Sequence, residues 1–156
     1  MNELWQIASF LRELRAELRF GEFSRAPLKL LRFQLQEETV ECDWIARSSD
    51  AWDVTLPRHT RDRTASLQAL QDAMKVRDLL FGVLPGLRLA VLRGFRQTAR
   101  EPPRLIIAGS ITPQLEAVKH VKSPVMRAKL YGFKFWMDDG VLAPLESVER
   151  SLEFAT

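Results

Sequence analysis

The chain is poor in the residues from which redox and metal sites are built: one cysteine, Cys42, and two histidines, His59 and His120. A lone cysteine excludes an intramolecular disulfide and any all-cysteine metal site, and it fits a reducing compartment. Neither histidine belongs to a His-Glu-x-x-His pattern or another metal-ligand cluster, so no metal is expected. The seven glycines form no phosphate loop or dinucleotide fingerprint, and Ser110 after Ala108-Gly109 lacks a nucleophile-elbow sequence. Nucleotide-dependent and serine-hydrolase chemistry are disfavoured, and no cofactor is expected. Long apolar runs are missing too. The longest, Leu79 to Leu87, falls well short of the ~20 residues of a membrane-spanning helix, and Glu3, Arg12, Glu13 and Arg15 interrupt the apolar N-terminus before a secretory core forms. The expectation is a cytoplasmic protein with no membrane partner.

What is present suits one α+β domain over residues 1–156, with 46% hydrophobic residues to supply a core. Leu4, Ile7, Ala8, Leu11, Leu14 and Leu18 recur at helical spacing and predict an amphipathic helix from about Asn2 to Phe20. Trp5 and Phe10 widen its apolar surface beyond the main stripe, which makes the helix an interaction element, for a second copy of the chain or for another protein. Leu31, Phe33 and Leu35 then alternate with polar residues, as do Val40, Cys42 and Trp44. A turn at Glu37-Glu38 would pair Leu35 with Val40, Phe33 with Cys42, Leu31 with Trp44 and, on the other face, Arg32 with Asp43. Trp52, Val54 and Leu56 allow a short edge strand in the otherwise plain segment 48–63.

Ser66 is an expected N-cap for a second helix marked by Leu67, Leu70, Met74, Arg77, Phe81 and Leu84, which Pro85-Gly86 stops. Two further strands follow around Leu89 to Phe95 and Leu105 to Ile111, and Leu105-Ile106-Ile107-Ala108, apolar on both faces, reads as central and covered. Thr112-Pro113 suits a short helical turn. Ser123-Pro124 resembles an N-cap with proline at the first helical position, Asp138-Asp139-Gly140 an end to that helix, and Pro144 the start of a last one to about Phe154. The expected fold is thus an antiparallel sheet from two β-hairpins with helices packed on one face, in the order α-ββ-α-ββ-α-α.

Charge is distributed unevenly. From Arg88 to Lys134 ten Lys or Arg residues face only Glu101 and Glu116, whereas Glu37 to Asp53 holds six acidic residues against Arg47. Two oppositely charged surfaces are expected. Within them two clusters are candidate anion sites. Arg58, His59, Arg61 and Arg63 lie just before the second helix, whose start makes cations unfavourable by roughly 0.3 to 1 kcal/mol each unless something negative compensates. The favoured reading is internal compensation, from Asp50, Asp53, Asp62 or Glu37-Glu38, or plain solvation; the alternative is an external phosphate or carboxylate. Lys119, His120, Lys122, Arg127 and Lys129 surround the Ser123-Pro124 helix start, where cap and charge coincide. Cys42, between Glu41 and Asp43, reads as an inert core thiol.

The function that fits is a small non-catalytic interaction or anionic-ligand-binding module. Two alternatives come from other classes: nucleic-acid binding through residues 88–134, with Arg93, Arg96, Arg100 and Arg104 adding phosphate contacts, and an enzyme acting on an anionic substrate at either basic cluster.

Overall fold

Two turns and one long helix decide the architecture in the computed structural model, which describes residues 3–18, 28–47, 55–98, 100–113, 118 and 120–145. The elements are α1 (Glu3–Glu17), β1 (Lys29–Gln36), β2 (Thr39–Ile45), α2 (Arg58–Val83), β3 (Leu89–Arg96), β4 (Arg104–Ile111), α3 (Pro124–Tyr131), β5 (Trp136–Asp138) and β6 (Val141–Ala143). The turn at Glu37-Glu38 closes as expected, with Leu35 opposite Val40, Phe33 opposite Cys42 and Arg32 opposite Asp43. Further along, a bulge between Leu30 and Arg32 places Leu30 rather than Leu31 opposite Trp44. The inserted residue reverses the alternation, and Leu31 turns outward, 45% exposed.

The sheet is mixed, which corrects the antiparallel expectation. Its order is β1-β2-β3-β4, and the central pair, β2 with β3, is parallel. The cause is the length of α2: 26 residues rising ~1.5 Å each cover about 39 Å, enough to return the chain past a whole strand. β3 therefore starts at the end where β2 started, the usual geometry of a crossover through a helix. Two antiparallel hairpins are joined this way into an α+β fold.

The second helix begins at Arg58, eight residues before the expected cap, and no side chain caps it. Ser66 lies inside the helix, 1% exposed, and its Oγ accepts the Leu142 N–H at 2.9 Å. Nor does Asp138-Asp139-Gly140 end α3. Gly132, at φ 106, is its left-handed cap, and the Phe133 N–H closes the turn on the Ala128 carbonyl at 3.1 Å. Asp139 and Gly140, at φ 51 and 81, instead turn the chain between β5 and β6, and two positive φ values match the tight hairpin turn that Asp-Gly favours. The possible strand at Trp52 and Val54, the turn after Pro113, and the last helix beyond Leu145 fall outside the described residues, whereas Leu56 sits in a bend before α2.

One face of the sheet carries the core. Phe10 is fully buried and stacks on Phe33 with centroids 4.9 Å apart, so it is the centre of the buried side of α1 and not a flank. Leu4 and Trp5 stay 72% and 57% exposed. Trp44 lies fully buried beside Gly94, its partner on β3. A Cβ on Gly94 would stand 2.6 Å from Ile107 Cγ2 and 3.2 Å from the indole. β4 is outermost of the four strands, not central. Ile106 and Ile107 are both buried because a bulge opposite Gly94 and Phe95 breaks the alternation there, and Ala108 exchanges two backbone hydrogen bonds with Lys134 on the far side.

Candidate functional site

The parallel pairing of β2 with β3 folds the acidic and basic segments onto each other. Arg88 Nε lies 3.1 Å from Glu38 Oε2, and Arg93 reaches Asp43 at 2.9 Å and Glu41 at 3.7 Å. Glu41 also binds Arg32 at 2.8 Å. The expected pair of opposed charged surfaces is therefore partly replaced by a neutralised strip on the outer sheet face. Two of the cations that a nucleic acid would have used are engaged.

The cluster expected before α2 lies within its first two turns. His59 Nε2 stands 3.2 Å from Asp139 Oδ2, while Arg63 donates from Nε to the Asp139 carbonyl at 3.2 Å and lies 3.7 Å from its carboxylate. One turn of helix apart, these two side chains grip the β5–β6 turn, and Arg63 fills the space that a Cβ on Gly140 would need. Arg58 is 88% exposed and reaches Asp62 at 3.9 Å. Arg61 is partly buried, with an Nε that has no hydrogen-bond partner among the described residues. The carboxylate beside His59 and Arg63 is Asp139, not one of those expected, and Asp62 approaches Arg58 alone among the ion pairs of the described residues.

The cluster around α3 divides. Lys119 is outside the described residues; His120 and Lys122 are exposed. Ser123 is the expected cap, its Oγ accepting the Met126 N–H at 3.3 Å and its carbonyl the Arg127 N–H at 2.9 Å. Since Pro124 has no N–H, only the Val125 amide of that turn is left for an anion. Arg127 points elsewhere, into a groove of about 330 Å³ between α2 and α3 lined by Gln71, Met74, Lys75, Asp78, Arg127 and Tyr131. Its Nε donates to Met74 Sδ at 3.4 Å, and no carboxylate of the described residues lies within 4.0 Å. Lys75 is paired with Glu17 at 3.2 Å, and Asp78 with Arg77 at 2.9 Å. Arg77 in turn lies between the rings of Phe81 and Tyr131, 5.1 and 4.7 Å from their centroids. Met74, which Arg127 touches, lies eleven residue steps along α2 from Arg63, a rise of about 16 Å. Arg58, His59, Arg61 and Arg63 do not line the Arg127 groove.

Sequence reasoning missed a second cleft, where β2 and β3 end beside the start of α2. Ala46, Arg47, Asp62, Ala65, Arg96, Gln97, Thr98 and Ile106 line about 180 Å³ there. Burial lowers the pKa of Arg96, opposed by the nearby charge of Asp62. The signal that would have found this cleft is the parallel pairing, since it alone brings residues 46–47 beside 96–98. Among the described residues no group of three His, Cys, Asp or Glu is placed so that it could hold a metal ion, and no helix is long and apolar enough to cross a membrane. Cys42 is fully buried.

Comparison with protein-family models, with curated proteins and with solved structures finds no match.

Proposed function

We propose that the protein is a small non-catalytic module that binds an anionic ligand in the groove between α2 and α3, anchored by Arg127. One observation carries this reading: a partly buried guanidinium beside a ligand-sized groove has a thioether sulfur, a poor acceptor, as its hydrogen-bond partner. A carboxylate or phosphate would offer the planar fork the two strong acceptors it favours. The groove's volume of about 330 Å³ lies within the range of roughly 300–1,000 Å³ usual for ligand sites. Its other charged groups, Lys75 and Asp78, are held in ion pairs, which supports recognition rather than catalysis. A single buried thiol fits a reducing, cytoplasmic setting.

Thermal unfolding with inorganic phosphate, against chloride at equal ionic strength, tests the proposal. A ligand at a hundred times its Kd stabilises the native state by about 2.7 kcal/mol. Phosphate should raise the Tm of the wild type and leave Arg127→Gln unmoved; an equal response of the two proteins, or none in the wild type, overturns it. A second reading, self-association through the first turn of α1, rests on the exposure of Leu4 and Trp5. Light scattering that gives a monomer throughout the working concentration range removes it.

A further inference from the structure

Where neighbouring strands run parallel, their carboxyl ends and the following helix start leave a crevice that open sheets commonly use for ligands. Here that crevice is the cleft of about 180 Å³ at the ends of β2 and β3. Its size is below that of drug-sized sites, so a small solute is the natural occupant. Ala46, Ala65 and Ile106 give it apolar walls.

Two opposite charges line this space without direct contact. Arg96 and Asp62 do not come within 4.0 Å of each other, and Arg96 has no carboxylate at that distance among the described residues. Asp62 has Arg58 at 3.9 Å, on a side chain 88% exposed, a contact that contributes little in water. Arg47, the other cation of the cleft, is already matched by Asp72, 3.0 Å away. A simple anion drawn to Arg96 would meet the Asp62 carboxylate, and a simple cation drawn to Asp62 would meet Arg96. A solute carrying both charges satisfies both walls at once.

We propose that this cleft binds a small zwitterion of the α-amino acid class, its carboxylate on Arg96 and its ammonium on Asp62. The site is independent of the Arg127 groove. The discriminating experiment titrates the full chain with glycine, alanine and serine, and with acetate and methylamine as single-charge controls, following the backbone amide resonances of Gln97 and Thr98. At least one amino acid should move these resonances saturably, with acetate and methylamine binding at least tenfold more weakly. Asp62→Asn, a change at a half-exposed side chain, and Arg96→Gln should each weaken that binding tenfold or more. Asp62→Asn should also keep the wild-type response to phosphate, which reads the other site. Circular dichroism checks that each variant is folded, and Asp62→Asn decides alone if Arg96→Gln is not. Acetate binding as tightly as the amino acids, unchanged affinity in Asp62→Asn, or resonances that none of the amino acids moves would each overturn the proposal.

Discussion

Arg47 and Asp72 form an ion pair sealed inside the protein: Nε lies 3.0 Å from Oδ2, with the two side chains 0% and 2% exposed. Gln68 donates to the other carboxylate oxygen at 2.9 Å. Removing one partner leaves a buried charge uncompensated, which typically costs about 3–5 kcal/mol, whereas replacing both with apolar groups is often neutral or better. Arg47→Met and Asp72→Leu should each therefore lower stability strongly, and the double variant should recover most of the loss. Chemical denaturation of the three proteins closes the cycle; additive losses would contradict the pairing.

The same pair gives stability a definite pH dependence. Burial pushes the Asp72 carboxyl up from 3.8 to about 6, outweighing the guanidinium and Gln68, which pull it down. Between those values the folded state holds a proton that the unfolded chain has released. The contribution of Asp72 is thus fully present below about pH 4, falls as pH rises towards 6, and is flat above. Unfolding free energies of wild type minus Asp72→Asn, measured across this window, should decline with pH; a difference that rises or stays level speaks against the shift.

Ser66 joins two elements by one bond. Its Oγ accepts from the N–H of Leu142, which is fully buried. Ser66→Ala leaves that amide without its acceptor, at a cost of about 1–3 kcal/mol. The Tm should fall, and hydrogen exchange at Leu142 should accelerate relative to the β3 amides.

The register of β1 on β2 was legible because two alternations and an opposite-charge pair, Arg32 with Asp43, agreed on one turn. The bulge at Leu31 was not, since Leu30-Leu31 offers two equivalent apolar residues and neither is preferred by pattern. Alternation in β2 and β3 states which side faces the core but not which strand is the neighbour. The parallel join was implicit only in the length of α2, and its start was hidden because His59 and Arg63 serve the β5–β6 turn and not an apolar stripe. Asp72 was a readable warning, a carboxylate among Ala69, Ala73 and Val76, all buried. Arg127 could be named as a cation near a helix start, but its groove depends on how α3 lies against α2. Arg96 and Asp62 come to line one cleft only through the fold.

Gly94 is required by its neighbours. A methyl group there would stand 2.6 Å from Ile107 Cγ2 and 3.2 Å from the Trp44 ring, and both side chains are buried. Forcing the core apart costs typically 1–3 kcal/mol, so Gly94→Ala should be destabilised by about that amount. Combined with Ile107→Ala, which deletes the opposing methyl, the loss should be smaller than the sum of the single changes. Denaturant midpoints at unchanged slope are the measurement; strict additivity would place the clash elsewhere.

Cys42 should be chemically silent until the protein opens. Its side chain is fully buried opposite Phe33, and burial, followed by the charge of Asp43, pushes the thiol up to about 12. At pH 7 the thiolate, the reactive form, is therefore scarce in the native protein. Modification must then proceed through opening of the β1–β2 hairpin, and its rate should follow the population of the open state as denaturant is added. Ellman's reagent should find no thiol in the native protein on the time scale that titrates one per chain after unfolding. A rapid native reaction would mean that the hairpin opens without the rest of the sheet, and the slope of the rate against denaturant would report how little surface that opening exposes.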